Sequence, residues 1–176
     1  MRITDDIMQT TTRILGIDPG LNITGYGLVD IISSGVELVE AGVIRSKSKD
    51  SLTQRARQIY EGVSEVISAF GPTVMSLEEL YSHYERPRTA ILMGHARGVI
   101  CLAAGQAEIE VRHYAATKVK KLLTGNGRAP KSQVQSAIQR EFHLAEPPDP
   151  PDVADALAIA LCHVFTSRLA MNVSAS

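Results

Sequence analysis

Five carboxylates in three separate segments stand out by type and spacing. Asp18 closes the apolar run RILGID, Glu78 and Glu79 sit together in TVMSLEEL, and Asp152 and Asp155 lie three residues apart in DVADALAIALCHVF. The last pair shares one face of the helix that this apolar segment predicts. On a strand, Val74, Ser76 and Glu78 share one face and Met75, Leu77 and Glu79 the other, so alternation alone does not choose between the glutamates. If that strand runs parallel to the first, about 4.8 Å away, Asp18 and Glu78 are placed to bond one cation. Acids gathered in this way raise one another's pKa, and a divalent cation relieves the repulsion. Magnesium takes hard oxygen ligands, few protein carboxylates per ion and substrate phosphate. Two such ions about 4 Å apart activate a water and stabilise the leaving oxygen of a phosphodiester.

Each acid also has an ordinary reading. Asp152 and Asp155 in a first turn complement the helix dipole, and Asp18 in an Asp-Pro-Gly turn bonds its own backbone. Their convergence from three segments is what favours hydrolysis of a phosphodiester. No Ser-His-Asp or Cys-His arrangement is available, and none of the five histidines forms an HExxH pair.

The elements that must bring these acids together follow from period and punctuation. RILGID, ITGYGLVDII and VELVEAGVIRS read as three strands of an antiparallel meander, with Gly25 and Gly27 marking either close backbone approach or a bulge. Leu52, Ala56, Ile59, Val63, Ile67 and Phe70 repeat at helical spacing until Gly71-Pro72. The fourth strand, a helix from about Arg88 to Gln106, the strand IEVRHY, and helices in AATKVKKLL, KSQVQSAIQREF and DVADALAIALCHVF complete the order. The order predicts an α/β domain with a mixed five-stranded sheet, three antiparallel strands then parallel additions, and helices on both faces. One domain is expected over residues 13–168, between flexible extensions at 1–12 and 169–176.

Composition narrows the class. At 176 residues, 44% hydrophobic and 21% charged, the chain reads as one soluble globular domain rather than a disordered or collagen-like one. Cys101 and Cys162 lie in neither a CxxC nor a CxxH pattern, which argues for a reducing cytoplasm and against disulfides or structural zinc. The opening MRITDDIMQTTT lacks the apolar core of a signal peptide, and no window of 18 apolar residues suggests a membrane partner. A net charge of −1 points away from nucleic acid. Its distribution points back: Arg112 to Lys131 holds six Lys or Arg and no acid.

Six blocks in order, ILGIDPGLNITGYG, LEELY, GHARGV, YAATKVK, GNGRAPKSQVQ and DVADALAIA, resemble the RuvC family of Holliday-junction resolvases from about Ile14 to about His163. The resemblance implies an RNase H-like fold and a metal-dependent crossover junction endodeoxyribonuclease of recombination and repair. Such an enzyme nicks two strands symmetrically across a four-way junction, leaving 5′-phosphate and 3′-hydroxyl ends. It also implies that Asp18, Glu78, Asp152 and Asp155 are the catalytic metal ligands, which selects Glu78 over Glu79. They would hold two Mg2+ ions, with Mn2+ as a substitute. A homodimer through the Arg88–Gln106 helix and a partnership with the RuvA-RuvB branch-migration complex are implied as well.

The same resemblance sets Lys131 beside the scissile phosphate as a catalytic residue, with Lys120 in support, and Tyr81 as an aromatic stacking on a base. Read from its own position, Lys131 follows Pro130 at a helix start, where free N–H groups and an ammonium together suit a phosphate. Lys118, Lys120 and Arg128 around the Gly-Asn-Gly loop, and Arg86 and Arg88 in and just after the stretch SHYERP, are expected DNA contacts. Two rival functions fit parts of this sequence. An ATP-handling domain of the actin and sugar-kinase class needs two copies of its fold, and GxxxxGK is absent. A junction-binding scaffold without cutting would have no need of all four acids.

Overall fold

The computed structural model describes residues 12–79 and 87–174. Their elements are β1 (Thr12–Asp18), β2 (Ile23–Ile32), β3 (Gly35–Arg45), α1 (Leu52–Phe70), β4 (Val74–Glu78), α2 (Pro87–Gln106), β5 (Glu110–Tyr114), α3 (Ala116–Thr124), α4 (Lys131–Glu141) and α5 (Pro151–Ser174). The strands form one mixed sheet in the order β3-β2-β1-β4-β5. The β1–β2 and β2–β3 pairs are antiparallel, and the β1–β4 and β4–β5 pairs are parallel. This is the arrangement that the run of three strands followed by alternating helices and strands predicts.

Strand alternation divides the core into two layers. Ile14 and Val29 face α3, α4 and α5, where Val119, Ile138, Leu157 and Leu161 are buried. Leu15, Ile17, Leu28, Met75 and Leu77 face α1 and α2, against Ile59, Val63, Ala96 and Ile100. Helix α1 is closed at both ends by its own sequence. Ser51 and Gln54 form a capping box, and Gly71 adopts a left-handed C-cap whose N–H donates to the Ile67 carbonyl.

Helix α5 is the centre of one layer. Residues Pro151–Ala170 have the length and hydropathy of a membrane span, yet Ala154, Leu157, Ala160 and Leu161 are fully buried against the sheet. Packing within the domain accounts for its apolar body. The helix continues to Ser174, past the boundary expected at 168. An Arg168 Nη2 bond of 2.7 Å to the Gly35 carbonyl ties its last turns to the start of β3. Both cysteines are free; burial pushes the Cys162 thiol up to about 11, which keeps it protonated and inert.

Candidate active site

Two glycines let α5 settle on the sheet. A Cβ on Gly16 would lie 2.2 Å from the Ala156 carbonyl oxygen, and one on Gly25 would lie 2.1 Å from that of Asp152. Either side chain would collide with the helix backbone, so close approach is the reason for glycine here. The irregularity in the β2–β3 ladder falls between Leu28 and Val29, away from both. On β4, Ser76 Oγ donates to the Ile159 carbonyl at 2.8 Å, fixing the middle of α5 to that strand.

Those contacts place the acids. Asp18 is paired with Gly25 across the β1–β2 ladder, and Gly25 touches the backbone of Asp152, so the N-terminal turn of α5 covers the end of β1. In the parallel ladder Gly16 pairs with Ser76 and Ile17 with Leu77, which puts Glu78 beside Asp18 on the α5 face. Glu79 is exposed, and its N–H donates to the Tyr114 carbonyl at 2.9 Å. Register therefore separates the two glutamates where alternation alone did not.

The electrostatics agree with the topology. Burial, then the charges of Asp155, Glu78 and Asp152, push the Asp18 carboxyl up to about 8, with Lys131 opposing. Glu78 is raised by burial and by Asp155, and lowered by Lys120, Lys131 and Arg97. Lys131 Nζ donates to Asp155 Oδ2 at 2.9 Å, and this bond raises the ammonium above the ordinary lysine value. The lysine side chain is 72% exposed and the aspartate 25%.

Among the described residues no set of three or more His, Cys, Asp or Glu side chains is gathered closely enough, as the rotamers stand, to hold a metal ion. In donor chemistry the four acids nevertheless fit a hard divalent cation. They are carboxylates only, mutually repelling, partly buried, and offset within the cluster by a single ion pair.

The expected DNA contacts fall in several places. Lys118 and Arg128 are exposed, Lys118 Nζ lying 4.9 Å from the centroid of the Tyr114 ring. Lys120 is partly buried, and its charge acts on Glu78. Arg88 is exposed in the first turn of α2, while Tyr81 and Arg86 lie outside the described residues. Arg97 on α2 was not singled out by sequence reasoning. Its Nη2 lies 3.1 Å from His113 Nδ1, its Nη1 is buried without a partner, and its charge reaches Glu78. Only its place in GHARGV marked it.

The family model described as crossover junction endodeoxyribonuclease RuvC matches residues 14–163. The chain belongs to the RuvC family. A crossover junction endodeoxyribonuclease RuvC of Rhodopirellula baltica is 58% identical over 149 residues, 85% of this chain and 84% of that protein. One from Alkaliphilus metalliredigens is 43% identical, over 88% of this chain and 94% of that one. The fold is likewise that of a T. thermophilus RuvC solved in complex with a Holliday junction substrate, at a TM-score of 0.84 and 32% identity, over 90% of this chain and 96% of that chain. The RNase H-like architecture and the membership implied by the six sequence blocks are thus borne out.

Proposed function

We propose that this RuvC-family protein is a Holliday-junction resolvase that cuts DNA with the cluster formed by Asp18, Glu78, Asp152 and Asp155. The observation that carries the reading is convergence: the β1–β4 register sets Glu78 beside Asp18, and Gly25, the ladder partner of Asp18, lies against the Asp152 backbone. In this arrangement burial and the other three acids raise the Asp18 carboxyl to about 8. Such a carboxyl is unfavourable as an anion until a cation joins it. Mg2+, as two ions with Mn2+ as a substitute, would supply a water nucleophile at neutral pH and charge neutralisation at the phosphate.

The chain's own residues do the rest. Asp18 and Glu78, on adjacent strand ends, and Asp152 and Asp155, one turn apart on α5, present oxygens from two sides of the cluster. Lys131 brings an ammonium to the same edge, suited to a phosphate oxygen of the strand being cut. Lys118, Lys120 and Arg128 extend a basic surface beside it, and Arg88 with Arg86 and Tyr81 would meet DNA from the α2 side. Hydrolysis with the 3′ oxygen as leaving group yields 5′-phosphate and 3′-hydroxyl ends.

Cutting two strands symmetrically calls for two sites, and α2 carries the face for a homodimer. Ile91 and Leu102 are 62% and 52% exposed, and Gly94, Gly98 and Gly105 have open space where a side chain would be. These residues follow one another at helical spacing, leaving a shallow apolar stripe suited to its two-fold copy. Work alongside a RuvA-RuvB complex in the cytoplasm is part of the same proposal.

One observation favours a second reading, a junction binder that does not cut: the carboxylates are not gathered as a ready ligand set. A synthetic four-way junction decides. Resolution into nicked duplexes with Mg2+, its loss in EDTA, and binding without cutting by Asp18→Asn support the nuclease. Binding by the unaltered protein with no cutting under either condition supports the scaffold.

A further inference from the structure

Asp155 Oδ2 is held at 2.9 Å by the ammonium of Lys131. The same oxygen is one that the proposed metal site needs, and the lysine is one that the proposed phosphate contact needs. A carboxylate oxygen bound to an ammonium offers less charge to a second cation, and two cations so close to one acid repel each other. We propose that Lys131 is an exchangeable internal counter-ion: a divalent cation and the Lys131 ammonium compete for Asp155, so that loading the metal releases the lysine to the DNA phosphate and phosphate capture of the lysine frees Asp155 for the metal.

This rests on the reading of the four acids as a metal site and adds a coupling to it. The geometry favours exchange over a fixed bridge. Asp155 belongs to a helix packed into the core and keeps its place, whereas the Lys131 side chain is 72% exposed on the first residue of α4. An ion pair with so exposed a partner is weak and easily released. Pro130 caps α4 without a side-chain hydrogen bond, and although the Gln133 N–H donates to the Pro130 carbonyl at 3.0 Å, the N–H groups of Lys131 and Ser132 remain available to an anion. The ammonium therefore has two partners within a short swing, Asp155 on one side and a phosphate at the helix start on the other. By thermodynamic reciprocity, whatever factor the metal gains from a bound junction, the junction gains from bound metal.

The test measures binding, not cutting. Mn2+ affinity of the intact protein, stripped of divalent ions, is determined by calorimetry for the wild type, Lys131→Met, Lys131→Arg and Lys121→Met. Exchange predicts that Lys131→Met tightens Mn2+ by about threefold to tenfold, that Lys131→Arg stays near wild type, and that Lys121→Met, which removes an equal charge from the exposed last turn of α3, changes affinity by less than about twofold. The second arm follows four-way junction affinity with Ca2+ and with EDTA. The gain on adding Ca2+ should be larger for the wild type than for Lys131→Met, by about the factor seen with Mn2+. Unchanged or weaker Mn2+ binding by Lys131→Met, or an equal effect from Lys121→Met, overturns the exchange while leaving the metal site standing. Mn2+ binding that Asp155→Asn leaves untouched removes the metal site and the exchange together.

Discussion

Gly25 has no room for a side chain because the carbonyl oxygen of Asp152 lies 2.1 Å from where its Cβ would be. Strand pairing joins Gly25 to Asp18, so one glycine sets the spacing between the acid that ends β1 and the acids that begin α5.

Gly25→Ala should therefore injure the site more than the fold. Forcing a methyl group against backbone costs about 1–3 kcal/mol, a fall in Tm of roughly 3–10 °C for a chain of this length. Junction cutting should drop at least about tenfold, the size expected when catalytic groups are misplaced. Differential scanning calorimetry and a cleavage time course check both. A variant that melts early yet cuts at the wild-type rate would show that the glycine serves packing alone.

Ser76 is a buried polar residue in the middle of the central parallel strand, bonded to the Ile159 carbonyl. Removing one hydrogen bond of this kind costs about 0.5–1.5 kcal/mol. Ser76→Ala should lower the midpoint of urea unfolding accordingly and leave Mn2+ affinity within about twofold, because Ser76 touches α5 two turns beyond Asp152. A large loss of metal affinity would instead make this bond part of the site's positioning.

The elements were legible because their signals are local. Alternation, helical spacing and the Gly71-Pro72 stop depend only on neighbours in the chain, and the five strands and five helices among the described residues follow from them. Asp18, Asp152 and Asp155 were legible as candidates for the same reason, since each sits at a predicted element end. In the sequence only the family resemblance selects Glu78 over Glu79; the physical reason is the register of β4 on β1, a contact between residues sixty positions apart that no local pattern encodes. Gly16, Ser76 and Arg97 escaped because what singles them out is the surface of another element: the back of α5 for the first two, and the edge of β5 for the third.

Long-range binding to DNA should be electrostatic and local to the α3 and α4 side. Log junction affinity should fall with log salt by about 0.9 per neutralised phosphate, and each of Lys118→Ala, Lys120→Ala and Arg128→Ala should reduce that slope by about one. Fluorescence anisotropy across a salt series in EDTA measures this without cutting. A slope unchanged in all three variants would move the DNA to another face.

Asp18 links stability to pH in a direction unusual for an aspartate. Its carboxyl is raised from 3.8 to about 8 in the folded chain, so the native state holds a proton that the unfolded state gives up. The sign follows from proton counting: between those values the folded form binds more protons, and stability falls as pH rises. The contribution is whole below about pH 4 and gone above about pH 8. In protein stripped of divalent ions, Tm should thus decline as pH rises toward 8. Asp18→Asn, which cannot ionise, should flatten that decline and melt higher at pH 8 by on the order of 2 kcal/mol, about 4–8 °C. Adding Mg2+ to the wild type at pH 8 should restore much of the same gap, since a bound cation stabilises the ionised cluster. Equal melting of the wild type and Asp18→Asn at pH 8 without divalent ions would mean that the four acids do not strain one another, and with that the case for a shared cation would lose its electrostatic basis.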